Sequence, residues 1–480
     1  MPDRSLRRRL WLWLGLAVAI AASRFLLRAQ APDGFDSFNF LLGMSRSFDM
    51  AKFQPHFPGY PVYVALGALL VRAGLPALTA ATAISSVAAG AAGFALAVCA
   101  EALYGPGAGV PAMLLDLVAW QPWLLGGGAL SDSLGIALAL GSFALFATGR
   151  PAASGVVAGL LLGTRASYFP LVGSLLVLAW VAGPRLRVVT GLAGGLLAWG
   201  IPFFATVGIG NFVTLGRSTL VGHFGQWGGS VETRPDVLLR GWAFLRDVFY
   251  DGFAPAWWAL LLLAGCLALA VWLSRERPIG REAGAGPERF VRGSRVLGLV
   301  LAPYALWAFF GQNVIEQPRH ALPLVEGLVI LLAGVFAAAP LALGLACVAL
   351  AGASLPLAIE RHRLGPAPAQ AAEWIRAHDP PTDTAVMTDR SWRFFTEMPG
   401  PYIVRQHAWL SEVIIDLTRF DRLPSHIVLT SEIDLHSGGG PHSPLPRRWS
   451  FEAGPTFCRD VRIDRAEPCL GLTTLGWSPR

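Results

Sequence analysis

Asp33-Gly-Phe-Asp36-Ser-Phe-Asn-Phe40, continuing through Asp49 to His56-Phe-Pro-Gly-Tyr-Pro61, is a polar run set between apolar stretches of a 480-residue chain. It follows directly on an apolar segment from Leu10 to about Leu27. Between residues 33 and 61 it collects three carboxylates, a histidine and Lys52, which is the chain's only lysine. Charges at the mouth of a first membrane helix are costly or exposed, and they mark sites more often than packing.

Composition sets the class. The chain is 54% hydrophobic and 14% charged, with a mean hydropathy of +0.51. Soluble domains carry about 25% charged residues, so these values belong to a polytopic membrane protein. Its 54 glycines and 35 prolines agree with that, since both are commoner in membrane helices than in soluble ones. The net charge of +7 comes from arginine. Arginine-rich cytoplasmic loops account for the sign, and no nucleic-acid partner is implied.

Topology follows from where the arginines fall. Four of them precede Leu10, a signal-anchor pattern with a cytoplasmic N-terminus. A cleaved signal peptide is the alternative, and it leaves the next loop on the same side. The thirteen residues from Val62 to Gly74 make about 20 Å of helix, against a hydrocarbon core of about 30 Å. If they cross, Arg150, Arg185 with Arg187, and Arg275 through Arg295 all fall outside. If they lie at the interface, all three clusters fall inside, as the positive-inside rule requires.

The spans expected on that reading are 10–28, 77–101, 107–126, 133–148, 153–166, 169–183, 187–207, 255–273, 296–311, 320–337 and 340–358. The fold expected is therefore an α-helical polytopic membrane protein of about eleven transmembrane helices. Residues 1–360 form the membrane domain, with 29–76 as a first external loop carrying interfacial helices. The external face also receives Ser131-Asp132-Ser133, Thr164-Arg165, a long loop over 208–254 and the segment from Gly311 to His320. No repeat of 20–50 residues is visible.

Residues 361–480 change composition and are expected to form a small α/β domain on the external face. Thr384–Thr388 and Ser425–Thr430 read as short buried strands. Trp409–Leu423 reads as an amphipathic helix with Leu410, Val413, Ile414, Leu417 and Phe420 on one face. His407, His426, His436 and His442 show no ligand spacing and read as surface residues. Cys99, Cys266 and Cys347 lie in apolar segments and read as packing residues. Cys458 and Cys469 can pair if the tail meets an oxidising compartment.

Four features in this order resemble the GT-C superfamily of membrane glycosyltransferases, which take sugars from polyprenyl-phosphate carriers. Its members include protein O-mannosyltransferases and aminoarabinose transferases. Asp36 stands where such proteins place a carboxylate after the first membrane helix. His56-Phe-Pro-Gly-Tyr-Pro61 matches their following histidine–proline segment, and Asp132 matches a later external acid. Pro318-Arg319-His320-Ala-Leu-Pro323 is similar to an arginine element that opens a late helix. Two departures stand out: Ser37 follows Asp36 where many relatives have glutamate, and His320 follows Arg319 where they have tyrosine.

The resemblance implies a transferase of the inner (plasma) membrane with its site on the external, periplasmic side. It would move a hexosyl or pentosyl group to a glycan, lipid or protein acceptor, with inversion. Such transfer needs a base for the acceptor proton, a counter-charge for the leaving phosphate and a dry pocket. Asp36 is the expected base, although a helix cap or loop solvation explains the same residue. Arg319 is the expected phosphate clamp, because a guanidinium stays charged and offers a planar fork. Asp49, His56, Tyr60, Asp132, Arg165, His223, Trp227 and His320 are expected to touch donor or acceptor. A turn feeding an interfacial helix also accounts for His56 and Tyr60, and Asp132 either partners Arg165 or N-caps the following helix. No cofactor is implied with certainty; a divalent cation stays open, and no metal ligand is assigned. Two other classes remain: a flippase or transporter of lipid-linked sugars, with Asp116 the exception among otherwise apolar spans, and a non-catalytic assembly subunit.

Overall fold

The computed structural model describes residues 4–226, 228–276, 287–435, 449–465 and 468–477. The chain divides into two compact units, one of residues 1–28 with 39–359 and one of residues 29–38 with 360–480.

Apolar runs become helices throughout the first unit. The first are α1 (Arg4–Leu26), α2 (Phe35–Ser45), α3 (Pro61–Arg72) and α4 (Ala77–Tyr104). Next come α5 (Gly109–Val118), α6 (Trp120–Gly126), α7 (Asp132–Ala147), α8 (Pro151–Thr164), α9 (Phe169–Ala182) and α10 (Arg185–Val207). Then follow α11 (Ile209–Gly225), α12 (Val237–Phe253), α13 (Trp257–Glu276), α14 (Pro287–Gly311), α15 (Leu322–Phe336) and α16 (Pro340–Arg363). Among the described residues, six helices are long and apolar enough to cross a bilayer, or seven if the bent pair α12–α13 makes one span. The sequence suggests about eleven. The difference lies in short apolar helices such as α7 and α8, whose 16 and 14 residues reach only about 21–24 Å at 1.5 Å per residue.

Two local outcomes differ from the sequence reading. The expected span 107–126 is broken, because Ala119 is extended (φ −66°, ψ 139°) between α5 and α6. Pro122 accounts for the break: within a continuous helix its ring would clash with the carbonyl of Val118, whereas in the first turn of α6 it is tolerated. The stretch 208–254, expected as a loop, forms the helices α11 and α12. In α12 the usual amphipathic order is reversed. Leu238, Trp242, Leu245 and Phe249 are exposed, while Arg240 and Asp247 are buried. A helix with lipid on one side and protein on the other needs that arrangement.

Close packing in this unit relies on glycine where α8 meets α10. A Cβ on Gly155 would lie 2.1 Å from the carbonyl oxygen of Val188, and one on Gly191 would lie 2.1 Å from that of Ala152. Small residues allow this approach of backbones, as expected for helices in lipid. The contact fixes α8, whose C-terminal end carries Arg165.

The second unit is α/β. Helix α17 (Ala367–His378) precedes β1 (Thr384–Thr388), α18 (Trp392–Thr396), β2 (Ile403–Gln406), α19 (Leu410–Leu417), β3 (His426–Thr430), β4 (Trp449–Cys458) and β5 (Cys469–Trp477). The sheet order is β2-β1-β3-β5-β4. β1 runs parallel to β2 and β3, while β5 is antiparallel to both β3 and β4. Ala371 and Ile375 of α17 pack with Val386 and Val428; Leu410, Val413 and Leu417 of α19 pack with Ala385, Met387 and Ile427. Covered on both faces, β1 and β3 read as unbroken apolar runs. Cys458 and Cys469 are disulfide-bonded. His436 and His442 lie outside the described residues.

The segment 29–38 belongs to this unit through Asp33, which Arg361 and Arg459 both grip. Arg459 also holds Asp464 and donates to the Leu364 carbonyl oxygen at 3.2 Å. Burial pushes the Asp33 carboxyl up, but the two guanidiniums outweigh it and hold the group below the ordinary carboxylate range. That contribution to stability is complete above the unfolded-state pKa and is lost as pH falls through the lower folded value. Asp33→Asn is expected to cost about 3–5 kcal/mol, because Arg361 is left without a carboxylate while Arg459 keeps Asp464. Earlier protease cleavage within 360–480 and a lower melting temperature are the readouts. Denatured without reductant, the protein should show three alkylatable thiols, Cys99, Cys266 and Cys347, and five after reduction.

Candidate active site

The polar segment after the first helix folds back on itself. The Asp49 side chain accepts a hydrogen bond from Ala51 N–H at 3.0 Å and pairs with Lys52 at 3.3 Å. Asp49 N–H donates to the Gln54 carbonyl oxygen at 2.6 Å, and Gln54 N–H returns a bond of 2.9 Å. Asp49 thus caps and closes this turn, a local task the sequence reading did not assign it. Gln54–Pro55 and Phe57–Pro58 are cis peptides.

Gly59 and Tyr60 follow with φ of +99° and +47°. At Gly59 a Cβ would stand 2.9 Å from both Met50 Sδ and a ring carbon of Phe203, so only glycine fits. A tyrosine with positive φ persists only where its surroundings over-determine it. Here the Tyr60 hydroxyl lies 3.0 Å from His56 Nε2. Phe40 of α2 meets the Tyr60 ring edge-on, with centroids 4.9 Å apart, and the Tyr63 ring at 5.2 Å.

Asp132 opens α7 and Arg165 closes α8, and the two form a buried two-pronged ion pair. Nη1 donates to Oδ2 at 3.0 Å, and Nη2 stands 2.9 Å from Oδ1 as a charge contact. Asp132 is 0% and Arg165 5% exposed. Arg165 also reaches Ser131 Oγ at 3.3 Å and stands 5.4 Å from the centre of the Tyr168 ring. Tyr60 and Tyr304 lie within electrostatic reach of the same guanidinium. Tyr168 and Tyr304 meet edge-on, with centroids 5.4 Å apart.

That tyrosine wall leads to the 3-10 turn Pro318–Ala321, which carries Arg319 and His320 and feeds α15. The turn is held from both sides. Tyr304 Oη donates to the His320 carbonyl oxygen at 2.8 Å, and Gln121 Nε2 to that of Pro318 at 2.6 Å. α12 packs against this turn as well. Arg240 of α12 spends its guanidinium on the backbone carbonyls of Gly229, Phe309 and Gln312. His223 Nε2 donates to the Gly311 carbonyl oxygen at 2.8 Å, and Val231 N–H to that of Phe310 at 3.0 Å. α11 and the segment after it are therefore tied to the end of α14, ahead of the loop that leads to Arg319.

His56, Tyr60, Asp132, Arg165 and the Arg319–His320 turn thus belong to one connected neighbourhood of the first unit, with His223 bonded to the last residue of α14. Asp36 lies in the first turn of α2 and belongs to the second unit. Trp227 lies outside the described residues. Sequence reasoning missed Gln121, Tyr168, Arg240 and Tyr304. Tyrosine scarcity is the one available signal: of seven in the chain, Tyr60, Tyr63, Tyr168 and Tyr304 gather here. Among the described residues no group of three or more His, Cys, Asp or Glu is placed to hold a metal ion.

No family model matches the chain, and no curated protein matches it in sequence. Its fold is similar to that of ArnT from Cupriavidus metallidurans, an aminoarabinose transferase of the GT-C type. The apo structure superposes with a TM-score of 0.56 at 13% identity, covering 98% of each chain. The structure bound to undecaprenyl phosphate gives 0.55 at 12% identity, covering 97% of each. The Archaeoglobus fulgidus oligosaccharyltransferase gives 0.42 at 14% identity, over 81% of this chain and 62% of that one.

Removing one member of the Asp132–Arg165 pair strands a buried charge, at a cost of about 3–5 kcal/mol. Arg165→Leu alone is expected to lower the melting temperature in detergent sharply. The double variant Arg165→Leu/Asp132→Leu should recover most of that loss, and a thermal-shift double-mutant cycle measures the difference.

Proposed function

We propose that this chain is a membrane glycosyltransferase that moves a sugar from a polyprenyl-phosphate donor to a hydroxyl acceptor at the external face of the inner membrane. The observation that carries the reading is the ArnT-like fold along nearly the full length of both chains. The chemistry of the first unit agrees: a turn fixed at its backbone carries Arg319 and His320 beside an aromatic wall.

In this reading Asp36 takes the acceptor hydroxyl proton as the oxygen attacks the anomeric carbon. The bond from that carbon to the phosphate oxygen breaks, and polyprenyl phosphate leaves with the electron pair. Single displacement on the opposite face inverts the anomeric centre. Arg319 holds the phosphate charge that grows as the bond breaks, on a backbone that Gln121 and Tyr304 pin. A preset cation needs no reorganisation at that moment, which is where its advantage lies. His56, Tyr60, His223 and His320 contact sugar or phosphate. Asp132 and Arg165, spent on one another, hold the wall in place, and Asp49 shapes the loop that presents His56.

The test is transfer of labelled sugar from a panel of polyprenyl-phosphate sugars in membranes containing the protein. Asp36→Asn at equal expression should abolish transfer. Arg319→Gln should lower kcat about 10²–10³-fold, the usual loss on removing one such charge stabiliser. Equal turnover by Asp36→Asn would remove Asp36 from the mechanism, and no turnover by wild type with any donor would defeat the reading.

A further inference from the structure

The first unit buries a second set of charges that the proposed chemistry does not use. Arg24 of α1, Asp116 of α5 and Glu326 of α15 are 0%, 2% and 1% exposed. Arg24 donates Nη2 to the Asp116 carbonyl oxygen at 2.8 Å and Nη1 to that of Leu117 at 3.0 Å. Its guanidinium carbon stands 4.2 Å from the centre of the Trp123 ring. The Asp116 and Glu326 carboxyls adjoin where α5 packs on α15, and Asp116 Oδ2 and Glu326 Oε2 are buried with no hydrogen-bond donor among the described residues. α4 closes the group from the other side, where a Cβ on Gly93 would come 3.2 Å from Asp116 Oδ2.

Charge balance decides the state of this group. With all three members ionised it would carry one excess negative charge, fully buried among membrane helices. An uncompensated charge there costs several kcal/mol, whereas two touching carboxyls can hold one proton between them. The place of the group matters equally. Glu326 stands in the second turn of α15, the helix that the turn carrying Arg319 feeds. Gln121, which grips the Pro318 carbonyl oxygen, is five residues beyond Asp116. Tyr168 lies within electrostatic reach of both Glu326 and Arg165.

We infer that Asp116 and Glu326 share a single proton balanced by Arg24, and that this neutral cluster is the positioning unit that seats the turn carrying Arg319 and His320. The positioning half rests on the proposed phosphate role of that turn; the shared proton does not.

Infrared difference spectra of the purified protein at neutral pH test the proton. A protonated-carboxyl band should appear in wild type and be lost in both Glu326→Gln and Asp116→Asn; its absence from wild type would overturn the assignment. Positioning is read from donor kinetics and from binding of undecaprenyl phosphate itself. Arg24→Gln strands a negative charge and is expected to raise donor KM and the undecaprenyl phosphate Kd about tenfold with kcat little changed, near the upper range of such indirect couplings. Adding Asp116→Asn should restore both values. A folded Arg24→Gln protein with wild-type KM and Kd, or a double variant no better than the single one, would overturn positioning. If wild type itself neither binds undecaprenyl phosphate nor transfers sugar, the proposed function fails instead, and the infrared band still decides the shared proton.

Discussion

Inside hydrocarbon a polar group has no water to fall back on, so its partner must come from the protein. Most of the first unit follows from this. The Arg165 guanidinium is spent on Asp132 and Ser131, and that of Arg240 on three backbone carbonyls. α12 turns its charges inward and its leucines and aromatics outward, the reverse of a helix on a soluble domain. The same constraint gathers polar chemistry into a few places where several helices can supply donors and acceptors together.

Such gathering also gives the candidate site its stiffness. The turn bearing Arg319 is bonded at its backbone on either side of that residue, by side chains from α6 and α14. Tyr60 keeps a left-handed backbone because a histidine, a phenylalanine and an adjacent glycine leave it little choice. Side chains held by their neighbours rather than by their own rotamer preferences are what a site needs if its charges are to be in place before the reaction begins.

Much of the helical pattern was legible in the sequence, because hydropathy and arginine placement report directly on solvent. The strands Thr384–Thr388 and His426–Thr430 were legible for a similar reason: both are buried on two faces and so read as apolar runs. β4 was not, since its residues are mostly exposed and show no such run. The helix at 237–253 was hidden by its reversed polarity, which an expectation of charged residues facing water reads as loop. Asp132 was weighed as a partner of Arg165 from their shared side, but across 33 residues nothing local separates that role from an N-cap. Gln121, Tyr168 and Tyr304 were silent for the same reason. Their roles are contacts between distant segments, and an ordinary tyrosine in an apolar run carries no mark of them.

The two-part composition of the second unit has a consequence for how the chain is made. Asp33 emerges early, while its partners Arg361 and Arg459 lie 328 and 426 residues further on. At roughly 5–20 residues per second, synthesis takes about 16–65 s to reach the first of them and longer to reach the second. During that interval the ten residues 29–38 have no unit to join, although the membrane helices on either side of them can already assemble. Completion of the second unit therefore waits on translation of residues far downstream, and the segment 29–38, which includes the proposed base at the start of α2, waits with it.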